Sequence, residues 1–299
     1  MCADAVHLFL NPTAGRGRAG KREARIVEIL NRGGVTLAVH RSEAVGDLEE
    51  KVYAAVSDGI RKVIVAGGDG SVHEAANGIM RAPDSAALGV IPTGTGNDFA
   101  KAAGITLEWE HATALLADRI AANETTRTVD VGRMNNRYFI NGAGVGFDAK
   151  VTRIARSYRI PIGDLVYLLA IFRGMAGGIA TPKMRITGDR VIWDGPVTLA
   201  NVANGAWIGG MFHIAPVAEN DDGQFDLLLA APVSRLRICT LLPKLMAGTH
   251  MGEREIVHEP VTDLLIECDE PVASHLDGEV QRLQQRFEIE MLGGALALL

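Results

Sequence analysis

The sequence lacks any apolar run that approaches the roughly 20 residues needed for a membrane-spanning helix. Its longest apolar stretches cover residues 165–172 and 291–299. The first residues also lack the basic group that precedes the apolar segment of a secretory signal peptide. We therefore expect a soluble protein, and this expectation leaves peripheral association with a membrane surface open.

Cysteine and excess positive charge are also scarce. The chain of 299 residues contains three cysteines, Cys2, Cys239 and Cys268, which lie far apart and form no CxxC pair. This number and spacing argue against a disulfide framework and indicate a reduced, cytoplasmic compartment. The formal net charge is −6. Because a nucleic-acid backbone requires a basic protein surface, we expect no general nucleic-acid partner.

Strands and helices alternate in the first part of the chain, up to about residue 125. Short apolar runs predict strands at residues 6–10, 36–40, 62–66 and 88–91, and the segments between and after them are typical of helices. Such alternation predicts a parallel sheet that is covered on both faces. Three glycine-rich loops, at residues 11–20, 67–71 and 92–98, each follow a strand. We therefore expect these loops to converge at the carboxyl edge of the sheet.

The second of these loops carries the clearest indication of chemistry. A β-branched run ends at Gly67 and Gly68, and the pair Ser71 and Glu74 predicts a capping box at the start of a helix. Asp69 lies among the glycines of this loop. Glycines let backbone N–H groups approach a polyphosphate, a helix start adds partial positive charge, and a carboxylate can hold Mg²⁺ or take a proton. The loop therefore predicts a nucleotide site.

The first and third loops allow more than one interpretation. The first contains GxGxxG from Gly15 to Gly20, which taken alone suggests a dinucleotide-binding dehydrogenase. That fold needs an acidic residue at the end of the second strand. The nearest candidate, Glu43, is poorly placed because it comes only after Arg41 and Ser42. The basic residues of this loop fit either a phosphate contact or a solvated helix start. The third loop concentrates hydroxyl groups, glycines and Asp98, which favours a site over a plain turn.

The pattern changes after residue 125. A hairpin is predicted with strands at residues 127–134 and 137–143 and its turn at Asn135 and Asn136. Further strand-like segments follow at residues 183–187, 191–193, 197–203, 225–230, 255–258, 264–267 and 287–291. Helices are predicted at 149–174, broken at Pro161, and at 234–248. This part reads as a mostly antiparallel β domain. The predicted domains are residues 1–127, possibly completed by 292–299, and residues 128–291.

Five short motifs stand in a fixed order along the chain. They are Asn11–Gly15, Gly67–Gly78, Pro92–Asp98, Asp222-Gly223 and Asp277-Gly278-Glu279. In these motifs the chain resembles the diacylglycerol kinase family in its bacterial, soluble form, which is related to sphingosine and ceramide kinases. The resemblance implies a NAD-kinase-like α/β nucleotide-binding domain with a parallel sheet and a mostly antiparallel β-sandwich domain. It also implies an ATP- and Mg²⁺-dependent lipid kinase, with an active site between the domains.

The same resemblance implies a role for each matching residue. Asp69 and Asp98 would belong to an acidic network around ATP and Mg²⁺, which Asp130 would support. Asp277 would accept the proton of the lipid hydroxyl, with Glu279 near the nucleotide phosphates. The implied nucleotide-binding residues are Asn11, Thr13, Gly15, Gly67, Gly68, Gly70, Ser71, Glu74, Thr93, Gly94, Thr95 and Asn97. A second, structural Mg²⁺ would be held by Asp222 and by backbone carbonyls near Glu219 and Gln224.

The residues around Asp277 support its role independently. Two carboxylates flank a glycine after the strand-like residues 271–274. Phosphoryl transfer requires an aligned donor and acceptor, a metal ion, and a carboxylate that orients and deprotonates the hydroxyl. A plain Asp-Gly turn is the alternative. His73 and His275 lack partners at metal-ligand spacing, so we predict structural roles for both.

A lipid kinase must also reach a lipid surface. Lys150, Arg153, Arg156 and Arg159 recur every three residues and precede an apolar segment. One hypothesis is that this basic stripe docks on anionic lipid, and the alternative is a buried helix with a solvated face. We expect phosphorylation of a lipid hydroxyl, that of diacylglycerol. NAD kinase and a lipid-binding pseudokinase remain the alternatives, and a homodimer is left open.

Overall fold

The computed structural model describes residues 6–124, 127–158 and 163–299. The chain forms two compact units. The first contains the residues up to Asp130 together with Gly294–Leu299, and the second contains Val131–Gly293. The chain therefore passes from one unit to the other twice, and the last six residues return to the first unit.

A four-stranded parallel sheet forms the centre of the first unit. Its strands are β1 (Val6–Leu10), β2 (Leu37–Arg41), β3 (Lys62–Gly67) and β4 (Ala87–Pro92), in the order β2-β1-β3-β4. All the pairings are parallel. Residues 63–67 of β3 are buried, as expected for a strand that is covered on both faces. Leu298 adds an isolated parallel bridge to Leu88 of β4. The predicted α/β class is confirmed.

Five helices accompany this sheet: α1 (Ala14–Arg32), α2 (Asp47–Ser57), α3 (Asp69–Arg81), α4 (Asp98–Ala102) and α5 (Trp109–Ala122). The prediction of a loop throughout residues 11–20 is wrong, because helical turns begin at Ala14. The first turn of α1 is nevertheless irregular, since Gly15, Arg16 and Gly17 have φ values of 58°, 62° and 82°. The glycine-rich loop is thus a left-handed turn within the start of a helix.

The predicted capping box at Ser71 and Glu74 is also wrong. Gly68 is the N-cap residue of α3 and no side chain caps this helix. The Glu74 carboxylate instead accepts hydrogen bonds from the backbone N–H groups of Gly46, at 3.0 Å, and Leu48, at 3.1 Å. These donors lie at the start of α2, where unpaired N–H groups need acceptors. Glu74 therefore caps a neighbouring helix and not its own.

The second unit contains two antiparallel sheets. The first sheet has the order β12-β11-β10-β7-β14-β15, and its strands in chain order are β7 (Gly142–Gly146), β10 (Leu199–Ala203), β11 (Phe225–Ala230), β12 (Ile256–Val261), β14 (Ser274–Leu276) and β15 (Glu279–Val280). The second sheet has the order β6-β5-β16-β13-β8-β9, with β5 (Thr128–Met134), β6 (Arg137–Phe139), β8 (Lys183–Thr187), β9 (Val191–Pro196), β13 (Leu264–Val272) and β16 (Gln284–Ala297). The ends of β5 and β16 belong to the first unit.

Side chains from both sheets pack into one apolar core. This core includes Val145 and Phe225 of the first sheet and Ile186, Ile266 and Phe287 of the second. The arrangement is a β-sandwich, which confirms the predicted second part of the fold. The single strand predicted near residues 137–143 is in fact divided, since β6 ends at Phe139 and β7 begins at Gly142 in the other sheet. The predicted turn at Asn135 is confirmed by its φ of 53° between β5 and β6.

Three helices complete the second unit: α6 (Phe147–Ser157), α7 (Leu165–Ala176) and α8 (Arg235–Ala247). They form a separate apolar cluster that includes Phe147, Ile171 and Leu242. The predicted break at Pro161 lies outside the described residues. Within the described part of the chain, no helix is both long and apolar enough to span a membrane.

Candidate active-site residues

The three glycine-rich loops of the first unit meet. A Cβ atom at Gly15 would lie 2.2 Å from the Thr93 carbonyl oxygen, and one at Gly68 would lie 3.0 Å from the Gly94 Cα. Glycine is required at such approaches because any side chain would strike backbone. Arg18 joins the first loop to the third, since its Nε donates to the Gly15 carbonyl at 2.9 Å and its Nη2 to the Gly94 carbonyl at 3.0 Å. The predicted convergence of the loops is confirmed.

Several predicted nucleotide-binding residues shape these loops. The Asn11 Oδ1 accepts hydrogen bonds from the Thr13 backbone N–H at 3.0 Å and from its hydroxyl at 2.8 Å. The Asn97 Oδ1 accepts from the Gly94 N–H at 3.0 Å, and Asn97 itself is left-handed, with φ 52°. Thr95 Oγ1 lies 3.3 Å from the Arg18 Nη2. These contacts hold backbone N–H groups at the sheet edge, and nucleotide binding by these residues stays a prediction.

Asp69 and Asp98 are brought together at the same edge. Each is the first residue of a helix, α3 or α4, where a carboxylate is favoured. The Asp69 Oδ1 accepts a hydrogen bond from the Phe99 N–H at 3.2 Å, and the Asp98 Oδ1 lies 3.2 Å from the Lys101 Nζ. Burial, together with the negative charge of Asp98, raises the pKa of Asp69 to about 7. The pair therefore carries negative charge that its surroundings only partly compensate.

This carboxylate pair fits a magnesium ion by its donor chemistry. Carboxylate oxygens are the hard ligands that Mg²⁺ takes, usually one or two from the protein with water and phosphate completing the shell. A cation would favour the ionised form of both carboxylates. No group of three or more His, Cys, Asp or Glu side chains at metal-binding distance is found among the described residues. A magnesium ion at this pair would therefore need oxygen ligands from its substrate and from water.

Asp130 lies at the end of the first unit in β5. It is 2% exposed, and its Oδ1 accepts a hydrogen bond from the Gly294 N–H at 2.7 Å. Gly294 has φ 60° and is the point at which the chain returns to the first unit. Asp130 thus ties the returning segment to β5. Support of the acidic network by Asp130 stays a prediction.

Asp277 lies in the turn between β14 and β15 of the second unit. Its Oδ1 accepts hydrogen bonds from the backbone N–H groups of Asn141, at 2.8 Å, and Gly142, at 2.9 Å, and its Oδ2 accepts from that of Ile140, at 3.1 Å. Asp277 has φ 49°, which is uncommon for a residue with a side chain and is often found at functional sites. The turn therefore holds this carboxylate in one fixed orientation.

Glu279 pairs with a residue from the predicted basic stripe. Arg156 forms an ion pair with Glu279, and its Nη1 also donates to the Gly278 carbonyl at 3.1 Å. Lys150 Nζ donates to the carbonyls of Gly174, at 3.1 Å, and Gly178, at 2.7 Å, at the end of α7. Lys150 is thus bound at the end of α7, whereas Arg156 remains exposed, and docking of the stripe on anionic lipid stays a prediction. Arg153 is exposed, and Arg159 lies outside the described residues.

The Asp222-Gly223 motif forms an exposed turn before β11. The Asp222 Oδ1 accepts a hydrogen bond from the Gln224 N–H at 2.9 Å, and Gly223 has φ 77°. Glu219 is likewise exposed. This is the geometry of an ordinary Asx turn. Binding of a structural magnesium ion by Asp222 and nearby carbonyls stays a prediction.

An apolar cavity in the second unit is a feature that the sequence did not predict. Side chains of α6, α7 and α8 line it, among them Val151, Ile171 and Leu242. Its polar lining residues include Asp148 and Asn201, together with Thr152, Thr198 and His250. The apolar run at residues 165–172 was a signal for such a cavity, but its place in the fold depends on packing that no local pattern gives.

Comparison with known proteins agrees with this geometry. Residues 5–134 match the family description "Diacylglycerol kinase catalytic domain", and residues 142–299 match "YegS C-terminal NAD kinase beta sandwich-like domain". A Pseudomonas aeruginosa (strain UCBPP-PA14) protein named probable lipid kinase YegS-like is 32% identical over 91% of this chain and 88% of its own length. The chain belongs to the diacylglycerol kinase family.

Other members of the diacylglycerol kinase family are similarly related along their whole length. The diacylglycerol kinase of Bacillus subtilis (strain 168) is 29% identical over 92% of this chain and 89% of its own. A crystal structure of a diacylglycerol kinase from Bacillus anthracis str. Sterne matches with a TM-score of 0.72 at 24% identity, covering 99% of this chain and 96% of that one. At that identity the structural likeness shows the fold.

Proposed function

We propose that this protein transfers the γ-phosphoryl group of ATP to the hydroxyl of a lipid, with diacylglycerol as the expected acceptor and phosphatidic acid as the product. The observation that carries the proposal is the pair of half-buried Asp69 and buried Asp98, which lies where three glycine-rich loops meet at the edge of a parallel sheet. Backbone N–H groups at helix starts favour phosphate oxygens. Paired carboxylates there favour the divalent cation that accompanies ATP.

The glycine-rich loops would bind the triphosphate. Gly15, Gly68 and Gly94 allow backbone to approach backbone, and the same absence of side chains would allow phosphate oxygens to approach the N–H groups. Arg18 fixes the first loop against the third and adds positive charge beside them. When bound, Mg²⁺ would neutralise charge on the phosphates. Asp69 and Asp98 would hold it, with phosphate oxygens and water completing its shell.

Asp277 would accept the proton of the attacking hydroxyl. The backbone N–H groups of residues 140–142 fix its carboxylate before the substrate arrives, so little reorganisation is needed during the reaction. The left-handed backbone at Asp277 is uncommon for a residue with a side chain, and such residues cluster at functional sites. The pair of Arg156 and Glu279 would stabilise this turn from its other side.

The apolar cavity would receive an acyl chain of the lipid. Its volume is about 140 Å³, which resembles the roughly 150 Å³ of an apolar cavity that holds benzene. Such a space accepts a segment of several carbon atoms. The lining is almost entirely apolar, as expected for a site that excludes water from a hydrocarbon chain.

Helix α7 would place this cavity beside the bilayer. Leu165, Leu169 and Phe172 follow one face of α7 and are 53%, 44% and 51% exposed. Exposed apolar side chains at this spacing are typical of helices that lie in a membrane interface. Tyr167 and Ile171, on another face of α7, line the cavity. We therefore propose peripheral membrane association through α7, in place of the basic stripe.

The assay that tests the proposed function offers labelled ATP and Mg²⁺ with NAD or with a panel of lipids, followed by separation of the products. Label in a lipid supports the proposal, and the labelled species identifies the acceptor. Label in NADP would show a NAD kinase. ATP binding without transfer to any acceptor would show a pseudokinase.

A further inference from the structure

A residue without a side chain, Gly144, lies in the middle of the first sheet of the second unit. Gly144 of β7 is directly opposite Asn201 of β10 on one side and His275 of β14 on the other. Directly opposite residues of an antiparallel sheet place their side chains on the same face. Asn201 and His275 therefore flank a residue that has no side chain.

The Asp148 carboxylate fills the space above Gly144. A Cβ atom at Gly144 would lie 2.0 Å from the Asp148 Oδ2 and 2.4 Å from the His275 Nε2. These two polar atoms lie 3.5 Å apart. The absence of a side chain at Gly144 is thus what allows Asp148 and His275 to face each other.

We call Asp148, Asn201 and His275 the Asp148 cluster. Three polar atoms of this cluster are buried without a hydrogen-bond partner in the described structure. They are the Asp148 Oδ2, the Asn201 Oδ1 and the His275 Nε2. His275 and Asn201 are 1% and 2% exposed. Native folds pair nearly all buried polar atoms, so three unpaired atoms at one place indicate a missing ligand.

The apolar cavity adjoins the Asp148 cluster. Asp148 and Asn201 belong to its lining, and most of the other lining residues are apolar, with Thr152, Thr198 and His250 as further polar ones. A ligand that fills the cavity and satisfies the cluster must therefore combine a hydrocarbon chain with a polar group. The cavity and the cluster together have the character of a site for an amphiphile.

The hydrogen-bonding capacity of the cluster indicates which polar group it takes. The unpaired oxygen atoms of Asp148 and Asn201 are acceptors, and the Asp148 Oδ1 already accepts from the Ala149 N–H at 2.8 Å. His275 Nδ1 lies 3.4 Å from the Gly278 N–H, which places the ring proton on Nε2, facing Asp148. An ester carbonyl has no hydrogen to donate, so it cannot satisfy Asp148. A hydroxyl group can.

We propose that the Asp148 cluster binds a lipid hydroxyl while the acyl chain occupies the apolar cavity. The lipid class in this proposal rests on the proposed function. Asp148 accepts the hydrogen bond, and His275 and Asn201 hold the hydroxyl in place. The hydroxyl is either the one that reacts or a second one on the same lipid. Asp277 is anchored to Gly142 of the same strand, β7, two residues from Gly144, so both carboxylates are held by this strand.

Binding measured without ATP tests the proposal independently of any transfer. Three short-chain ligands are compared on the wild-type protein: dioctanoylglycerol, with one hydroxyl, its analogue 1,2-propanediol dioctanoate, with none, and monooctanoylglycerol, with two. We expect the ligands with a hydroxyl to bind about tenfold more tightly than the analogue without one, which corresponds to about 1.4 kcal/mol. In Asp148→Leu, which keeps the branching of the side chain and has no acceptor, this preference should disappear.

Two further variants make the result decisive. Asp148→Asn keeps the shape and replaces a charged acceptor by a neutral one, so the preference should fall to about threefold, because hydrogen bonds to charged groups are roughly twice as strong as neutral ones. Ile171→Val lines the same cavity and should leave the preference unchanged. Circular dichroism checks that each variant folds. If Asp148→Leu does not fold, the result for Asp148→Asn decides.

The outcomes show which hydroxyl of the lipid is bound, and they distinguish failure of this proposal from failure of the proposed function. If Asp148→Leu weakens binding of both hydroxyl ligands, the cluster takes the hydroxyl that they share. If it weakens only monooctanoylglycerol, the cluster takes a second hydroxyl. An equal effect on all three ligands, or a wild-type protein without any preference, overturns the proposal. A preference that depends on Asp148 in a protein that transfers phosphate to no lipid would leave this site standing and would remove the proposed function.

Discussion

The half-buried Asp69, which lies beside the buried Asp98, makes the stability of the protein depend on pH and on magnesium. The pKa of Asp69 is raised from an ordinary 3.8 to about 7. Between these two values the unfolded chain loses a proton that the folded protein keeps, so the free energy of unfolding falls as pH rises. Above about pH 7 both states are ionised and the penalty is complete. At about 1.36 kcal/mol for each pH unit between the two values, it amounts to about 4 kcal/mol.

Urea denaturation between pH 4 and pH 8.5, followed by circular dichroism, measures this penalty. Asp69→Asn should remove most of the decrease in stability across this range, because it removes the group that titrates. Magnesium with a non-hydrolysable ATP analogue should restore stability to the wild-type protein at pH 8 and should do less for Asp69→Asn. Asp189→Asn, which alters an exposed carboxylate in the other unit that has no predicted role, is the matched control. An unchanged pH profile in Asp69→Asn would refute the reasoning.

Three further predictions follow from the geometry. Gly15→Ala should raise the KM for ATP severalfold in steady-state assays, because its Cβ would lie 2.2 Å from the Thr93 carbonyl oxygen at a φ of 58°. Gly17→Ala, with open space around its Cβ, should raise the KM less. Equal effects of the two variants would contradict the close packing of the loops. Glu74→Ala should lower the free energy of unfolding by about 1 kcal/mol through loss of the cap on α2, and a change in the KM for ATP without a change in stability would instead show nucleotide binding. Leu169→Glu should reduce binding to lipid vesicles in a sedimentation assay. The control Leu236→Glu should not, because Leu236 is 81% exposed but lies on α8. Vesicle binding that is retained in Leu169→Glu would exclude the α7 surface.

The parallel sheet and the meeting of its loops could be predicted because both follow from local patterns. Alternating strands and helices imply parallel strands, and parallel strands place every following loop at one edge. Asp69 and Asp98 could be paired on this basis although 29 positions separate them in the chain. A mostly antiparallel β domain followed from the strand-rich second half in the same way, with an error where a strand divides between sheets after Phe139. Its sandwich form was implied by the family resemblance.

The features that sequence did not predict depend on tertiary contacts. Glu74 has the spacing of a capping box, but its carboxylate is taken by N–H groups of another helix, and only the packing of α2 on α3 decides this. Arg18 had no distinguishing neighbour in the chain, since its partners are in the third loop. Asp148 and His275 are brought together by the register of β7 and β14, which a one-residue slip would change. His275 was predicted to be structural for want of a nearby partner, and its partner is 127 positions away.

The most direct measurement of the proposed function compares the wild-type protein with Asp277→Asn in transfer of the labelled γ-phosphate of ATP to diacylglycerol in mixed micelles. The wild-type protein should form labelled phosphatidic acid in a reaction that requires both Mg²⁺ and the lipid. Asp277→Asn should be slower by about 10²–10⁴-fold, as expected for loss of a positioned base, with an unchanged circular dichroism spectrum. A wild-type protein that labels no lipid, or an Asp277→Asn variant that labels it at the same rate, would contradict the account.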